Sequence, residues 1–188
     1  MTKRLIGFLL SGLFVALSHS QVQKSDTTAV ALWLARKPAI ERALAGDEYF
    51  CHGERPMTVV DAFGTREDPP SVALVDDCQD GAYTDRIVAM WLERGIPVAA
   101  RIRDGNGKPV PNSFLHGASV MHSRDVKLAP GSKAIFDLFN DGDQTGSSAA
   151  QCGVKAYVWN PPSRTFDLDK RLSNTESRKY CKTLRQQK

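Results

Sequence analysis

The residues whose types and spacing most readily suggest chemistry lie in the segment AIFDLFNDGDQTGSS, residues 134–148. Carboxylate and amide oxygens are concentrated there around a glycine, and such oxygens are the ligands that Ca²⁺ prefers. The side chains of this acidic turn that could hold an ion are Asp137, Asn140, Asp141 and Asp143. The segment is therefore either a calcium loop or the acidic tip of a hairpin.

A calcium loop of the helix–loop–helix type does not fit this spacing. Counted from Asp137, such a loop needs an oxygen ligand at its third position and a bidentate glutamate at its twelfth. Phe139 and Ser148 occupy those two positions. We therefore predict no metal site, and we expect a hairpin turn whose Asp141 and Asp143 stay in water, where they could contact a partner.

Signals for catalysis are sparse elsewhere in the chain. His116 and His122 would share one face of a strand but lie about 20 Å apart, too far to share a metal ion. Ser119 lacks the strand–turn–helix setting of an exposed nucleophile. A glycosidase needs only two carboxylates in a cleft, so a small envelope hydrolase using two carboxylates, or His116 with one, is the alternative. We predict no catalytic residue and no cofactor.

Trp159 is the aromatic residue with the most suggestive position. It lies in VWNPPSR, directly before a proline turn. An exposed indole at such a turn could anchor a protein partner, since tryptophan is enriched among the residues that dominate binding energy. The alternative is a ring that covers one end of the sheet. Trp159 is therefore a candidate binding residue together with Asp141 and Asp143.

The first twenty residues have the order of charges and apolar residues of a secretory signal. Lys3 and Arg4 precede an apolar run from Leu5 to Leu17, and small residues follow up to Ser20. We expect cleavage after Ser20 and a single exported domain at 21–188, periplasmic or secreted; a retained membrane anchor is the alternative. No later apolar run reaches the roughly 20 residues of a transmembrane helix.

Cysteine content and charge narrow the class of protein further. Four cysteines in an exported chain predict two disulfides, with the pairing left open, among Cys51, Cys78, Cys152 and Cys181. A zinc site is disfavoured because no pair has C-x-x-C spacing. Without the signal, 23 basic residues face 21 acidic ones, a balance that does not indicate nucleic-acid binding.

The apolar patterns predict an α+β domain with an antiparallel β core. Residues 26–46 favour a helix that Pro38 kinks or divides into two. Strands are expected at 57–63, 71–78, 86–93, 133–139 and 153–160, and a hairpin at 96–111 with its turn at 104–107. The capping-box pattern Ser173–Glu176 predicts a short C-terminal helix that carries Cys181.

Two segments within about 133–173, FDLFNDGD and CGVKAYVWNPPSRTFDLDKRLS, resemble the acidic-turn β modules of the FG-GAP/VCBS type. They also resemble the related turns of exported lysozyme-inhibitor-like and immunity-like proteins. Those modules carry a ligand oxygen where Phe139 stands, so the resemblance does not extend to an ion here.

The resemblance implies a periplasmic inhibitor or immunity-type protein whose partner is a cell-wall-degrading enzyme. The turns 104–107 and 140–146 would then enter the partner's cleft and place Asp141 or Asp143 against its charged residues. A third possibility is an accessory component of an envelope or secretion assembly that docks through the helix at 26–46. The oligomeric state is left open.

Overall fold

A computed structural model describes residues 27–46, 56–67, 70–76, 84–118, 122–129, 133–141 and 151–186. The expected signal peptide, Cys51, Cys78 and Asp143 lie outside these ranges. The elements are α1 (Thr27–Leu34), α2 (Lys37–Leu44), β1 (Thr58–Glu67), β2 (Pro70–Asp76), β3 (Thr84–Glu93), β4 (Ile96–Ala99), β5 (Ile102–Arg103), β6 (Pro109–Val110), β7 (Ser113–Ala118), β8 (His122–Leu128), β9 (Ala134–Asp141), β10 (Gln151–Asn160), β11 (Thr165–Leu168) and α3 (Lys170–Gln186).

The strands form one curled sheet, which confirms the expected mixture of helices with a β core. Its order is β1-β2-β3-β7-β8-β9-β10-β11-β5-β6, and β4 also pairs with β3. Neighbours are antiparallel except β11 and β5, which run parallel with Phe166 opposite Ile102. The antiparallel prediction is therefore wrong at this one pair, where the main chain of Phe166 donates a hydrogen bond of 2.8 Å to the carbonyl of Arg101.

Strands β2 and β3 are buried on both faces, which explains their nearly continuous apolar sequences SVALV and IVAMWL. Along β2, Ala73 and Val75 join the core beneath α1 and α2. Val72 and Leu74 point the other way, into a second core that the curled sheet encloses with residues from β8 to β11. The sheet is therefore the layer between two apolar clusters.

The predicted N-terminal helix is divided in two, as Pro38 indicated. α1 ends at Leu34 and α2 begins at Lys37, so Pro38 occupies the first turn of α2, where its missing N–H is not needed. Trp33 is fully buried, and its indole N–H donates a 2.9 Å hydrogen bond to the hydroxyl of Ser71 on β2. Among the described helices, none is long and apolar enough to cross a membrane.

The C-terminal helix begins earlier than the capping-box pattern predicted, and at 17 residues it is not short. Asp169 is its N-cap, since the carboxylate accepts a 2.8 Å hydrogen bond from the main-chain N–H of Leu172. Ser173 cannot act as the cap. Its hydroxyl donates to the carbonyl of Asp169 and accepts from the N–H of Ala156, at 2.6 and 2.9 Å.

α3 covers the edge of β10 that β11 leaves open. The hydroxyl of Ser177 accepts from the N–H of Val154 at 2.8 Å, one helical turn beyond the bond from Ala156 to Ser173. The disulfide between Cys152 and Cys181 continues the same register. Helix residues that are four apart in sequence therefore contact strand residues that are two apart. The spacings agree because four helical residues and two strand residues each rise about 6–7 Å.

This disulfide confirms part of the two-disulfide prediction. Cys152 and Cys181 are bonded, with their Cα atoms 5.9 Å apart. The other expected pair involves Cys51 and Cys78, which lie outside the described residues. The expected division into a signal peptide and one domain at 21–188 stays a prediction.

Candidate functional site

An open cavity of about 560 Å³ lies at the β10–β11 end of the sheet. Its volume falls in the range of typical ligand sites. We call it the Trp159 cavity; it is lined by Gly105, Val158, Trp159, Asn160, Pro161, Asp167, Leu168, Asp169 and Lys170. The predicted aromatic anchor and the predicted 104–107 turn therefore belong to one site.

Trp159 is held in place by two buried rings. Its indole meets that of Trp91 edge-on, with centroids 5.1 Å apart, and lies 5.4 Å from the ring of Phe166. Trp91 and Phe166 belong to the enclosed core, whereas Trp159 is half-buried and also lines the cavity. The ring thus covers the end of the core and presents a preorganised aromatic surface.

The polar wall of the cavity is a connected hydrogen-bond network. Asp167 accepts from the side-chain amide of Asn160 at 2.6 Å and from the hydroxyl of Thr165 at 2.7 Å. The hydroxyl of Ser163 lies 2.6 Å from that of Thr165 and extends the network into the turn. These bonds fix Asn160 and Asp167, which keep further acceptor and donor capacity for a bound group.

The opposite wall combines a tight turn with the first residue of α3. The carboxylate of Asp104 accepts from the N–H groups of Asn106 and Lys108 at 2.8 and 2.9 Å, and these two bonds hold the pKa of Asp104 below its ordinary value. A Cβ at Gly105 would lie 2.6 Å from Cε of Lys170, so the end of this flexible lysine side chain packs against the turn. The cavity is therefore bordered by Gly105 of this turn and by Lys170.

The predicted hairpin at 96–111 is present only in its second half. β5 and β6 form the hairpin around the Asp104 turn. The first half pairs with β3 instead, through a turn at Arg94 and Gly95 in which both residues have positive φ. Arg94 is an uncommon residue for that conformation, so no turn-forming residue pair marked it in the sequence.

Asp141 lies toward the other end of β10. Asp141 is opposite Gln151, eight residues from Trp159, which corresponds to about 27 Å along a strand. The carboxylate of Asp141 is paired with the guanidinium of Arg124 on β8 at 2.7 Å. The structure therefore separates Asp141 from Trp159, and Asp143 lies outside the described residues.

The four predicted ion donors are not brought together where they are described. Asp137 and Asp141 are four residues apart on β9, about 13 Å along the strand, and Asn140 alternates to the other face. The described residues contain no group of three or more histidine, cysteine, aspartate or glutamate side chains that could hold a metal. Asp137 instead lies near Lys155, with an oxygen–nitrogen distance of 3.8 Å.

Burial raises the pKa of Asp137, although Lys155 and Arg124 counteract it. A carboxyl whose folded-state pKa is raised makes the protein more stable when protonated, and that stability is lost as the pH rises through the folded-state pKa. We therefore expect Asp137→Asn to raise the melting temperature at pH 7 relative to the unmodified protein, and to change it little at pH 3. Thermal unfolding followed by circular dichroism at both pH values measures this. A lower melting temperature at pH 7 would show that the Lys155 contact dominates.

His116 has one carboxylate partner, Asp125 on β8, with Nδ1 and Oδ1 3.1 Å apart. Both side chains are largely exposed, at 42% and 48%. The side chain of His122 lies outside the described part. A hydrolase that uses His116 with one carboxylate would therefore use Asp125, a residue that the sequence did not single out.

Sequence reasoning missed Asn160, Asp167 and Lys170 as members of the site. The signal that could have found them is the register of the β10–β11 hairpin, which puts Asn160 opposite Thr165 and Val158 opposite Asp167. Comparisons with protein-family models, curated proteins and solved structures found no match to this chain. The function of the site is therefore inferred from its geometry.

Proposed function

We propose that this chain is an exported binding protein whose contact site is the Trp159 cavity together with the Asp104 turn. The observation that carries the proposal is a half-buried indole, fixed by Trp91 and Phe166, that borders an open cavity. A rigid aromatic anchor loses little conformational entropy when a partner covers it. Such rings beside a concavity are typical of the few residues that dominate the affinity of an interface.

The partner we propose is a cell-wall-degrading enzyme, which the protein would inhibit. Clefts of glycan-cleaving enzymes carry two carboxyl groups. Lys170 lines the Trp159 cavity and Lys108 lies in the adjoining Asp104 turn. Neither makes an ion pair within the described residues, although both help to lower the pKa of Asp104. Their charges can complement such a cleft. The carboxylate of Asp167 is already occupied by two donors, which limits its repulsion of an acidic partner.

The Trp159 end suits this role better than the acidic turn does. Asp141 forms an ion pair with Arg124, whose guanidinium also lies 5.6 Å from the ring centroid of Phe139. Contact with a cationic group of a partner would compete with this internal pair. We therefore propose Trp159, Lys108 and Lys170 as the main contacts, and a secondary contribution from Asp141 and Asp143.

Replacement of Trp159 tests the proposed contact. Oxidised 21–188 is immobilised and used to capture proteins from envelope extract, and the captured partner is identified by mass spectrometry and titrated. We expect Trp159→Ala to weaken binding by about 30-fold or more, as for a residue that contributes at least 2 kcal/mol. Trp159→Phe should retain most of the affinity because it keeps an aromatic ring at the same position.

Val60→Ala is the matched control, since Val60 is an exposed apolar residue on the distant edge strand β1. It should leave the affinity unchanged. Equal binding by Trp159→Ala and the unmodified protein would contradict the proposed contact site. A captured partner whose binding depends on Trp33 or Ile40 instead would favour the assembly alternative.

A further inference from the structure

A second concavity lies between α3 and the sheet, away from the Trp159 cavity. It encloses about 260 Å³, and we call it the α3 groove. Its floor is apolar and comes from β9 and β10, with Leu138 and Val154 buried and Phe136 half-buried. Its rim is formed by Lys127 on β8 and by Glu176, Lys179, Tyr180 and Thr183 on α3.

The way in which α3 is held explains why this groove exists. The helix is attached to β10 by hydrogen bonds through Ser173 and Ser177 and by the disulfide to Cys181. None of its residues is fully buried, although Leu172, Tyr180 and Leu184 are half-buried. The helix covers the apolar side chains of β9 and β10 and leaves a concavity beside them.

Charge is distributed unevenly around this floor. Lys127 makes no ion pair within the described residues, and its strand neighbour in the register is Phe136. Lys179 contacts Glu176 at 2.7 Å, and Lys179 is 67% exposed, so an anion can share it at little cost. Burial raises the pKa of Tyr180, whose side chain also forms a hydrogen bond with Ser123.

We propose that the α3 groove binds a single aliphatic chain that carries an anionic head group. The chain would lie on Phe136, Leu138 and Val154, and the head group would contact Lys127 and Lys179. The volume equals that of about nine liquid waters, at roughly 30 Å³ each, and is below the range of drug-sized sites, which favours one short chain. This site goes beyond the proposed function and does not depend on it.

Three ten-carbon amphiphiles that differ only in head group test this assignment. Decanoate, decyltrimethylammonium and decanol are titrated into the oxidised protein below their micelle concentrations, and heat of binding and melting temperature are recorded. We expect saturable one-to-one binding of decanoate, with a dissociation constant at least tenfold below that of decyltrimethylammonium. Decanol should fall between them. A rise in melting temperature with decanoate concentration should accompany binding, since a ligand of the folded state stabilises it.

Charge variants distinguish decanoate binding in the α3 groove from binding elsewhere on the surface. Lys127→Gln with Lys179→Gln should weaken decanoate about tenfold and leave decanol unchanged. Lys155→Gln is the matched control, because Lys155 is an exposed lysine on β10 that does not line the groove. Absence of saturable decanoate binding, or equal affinity for the anionic and cationic amphiphiles, would overturn the proposal. Loss of decanoate binding in Lys155→Gln to the same degree would also overturn it.

Discussion

Trp33→Ala is expected to lower the free energy of unfolding by about 3–5 kcal/mol, the range for removal of a buried aromatic side chain. Trp33 is fully buried in the core that joins α1 and α2 to the sheet. The substitution also removes the indole N–H that donates a 2.9 Å hydrogen bond to the hydroxyl of the buried Ser71. Ser71 donates onward to the carbonyl of Gly64 at 2.6 Å, so the whole contact between helix and sheet is weakened.

Two phenylalanine variants separate packing from hydrogen bonding in this effect. Trp33→Phe keeps most of the buried ring but removes the bond to Ser71, so we expect a loss of about 1–3 kcal/mol. Trp91→Phe is the control, because the buried indole N–H of Trp91 has no hydrogen-bond partner within the described residues. Urea unfolding of all three variants measures the differences. A loss below 1 kcal/mol for Trp33→Ala would contradict the assignment of Trp33 to the core.

Removal of the disulfide by Cys152→Ser with Cys181→Ser is expected to lower the free energy of unfolding by about 3–4 kcal/mol. The two cysteines are 29 residues apart, and a loop of that size gives this value in the chain-entropy model. The loss of stability should be largest in α3, which has no fully buried residue to hold it on the sheet. We expect the helix to detach from β10 more often than the strands separate.

Amide hydrogen exchange shows whether the loss is local. The N–H groups of Val154 and Ala156 are bonded to the hydroxyls of Ser177 and Ser173, so their exchange should accelerate when α3 detaches. The amide of Phe166, bonded to the carbonyl of Arg101, lies away from α3 and serves as the control. Unchanged protection of Val154 and Ala156 in the serine variant would contradict the role of the disulfide in holding α3.

Local patterns were sufficient for much of the fold. Pro38 marked the division between α1 and α2, because proline cannot donate the hydrogen bond that a continuous helix needs. The apolar runs of β2 and β3 marked strands, and the structure buries these strands on both faces. The segment 86–93 forms the predicted strand, since its β-branched residues Ile87 and Val88 fit the pleated surface between β2 and β7.

The features that sequence did not predict depend on distant partners. The parallel pairing of β5 with β11 joins residues more than sixty positions apart, and no local pattern encodes it. α3 begins at Lys170 with Asp169 as its N-cap rather than Ser173, because the hydroxyl of Ser173 bonds to β10, which the capping-box pattern cannot anticipate. Tertiary contacts of this kind override local preference.

The candidate site shows the same division between local and distant information. Trp159 was recognisable from its position before two prolines, but the network of Asn160 and Asp167 requires the hairpin register. The sequence grouped Asp141 with Trp159, whereas β10 holds them about 27 Å apart. Spacing along the chain predicts which residues share a face of a strand. It does not predict which residues lie together at one end of the sheet.

Inhibition of a cell-wall-degrading enzyme tests the central claim most directly. A panel of envelope peptidoglycan hydrolases is assayed by the clearing of a peptidoglycan suspension, with increasing oxidised 21–188 or its Trp159→Ala and Val60→Ala variants. We predict that one enzyme is inhibited at near-equimolar ratio by the unmodified protein and by Val60→Ala, and that Trp159→Ala requires at least 30-fold more protein. Unchanged clearing by every enzyme at a large excess of the protein would contradict the proposed inhibitory function.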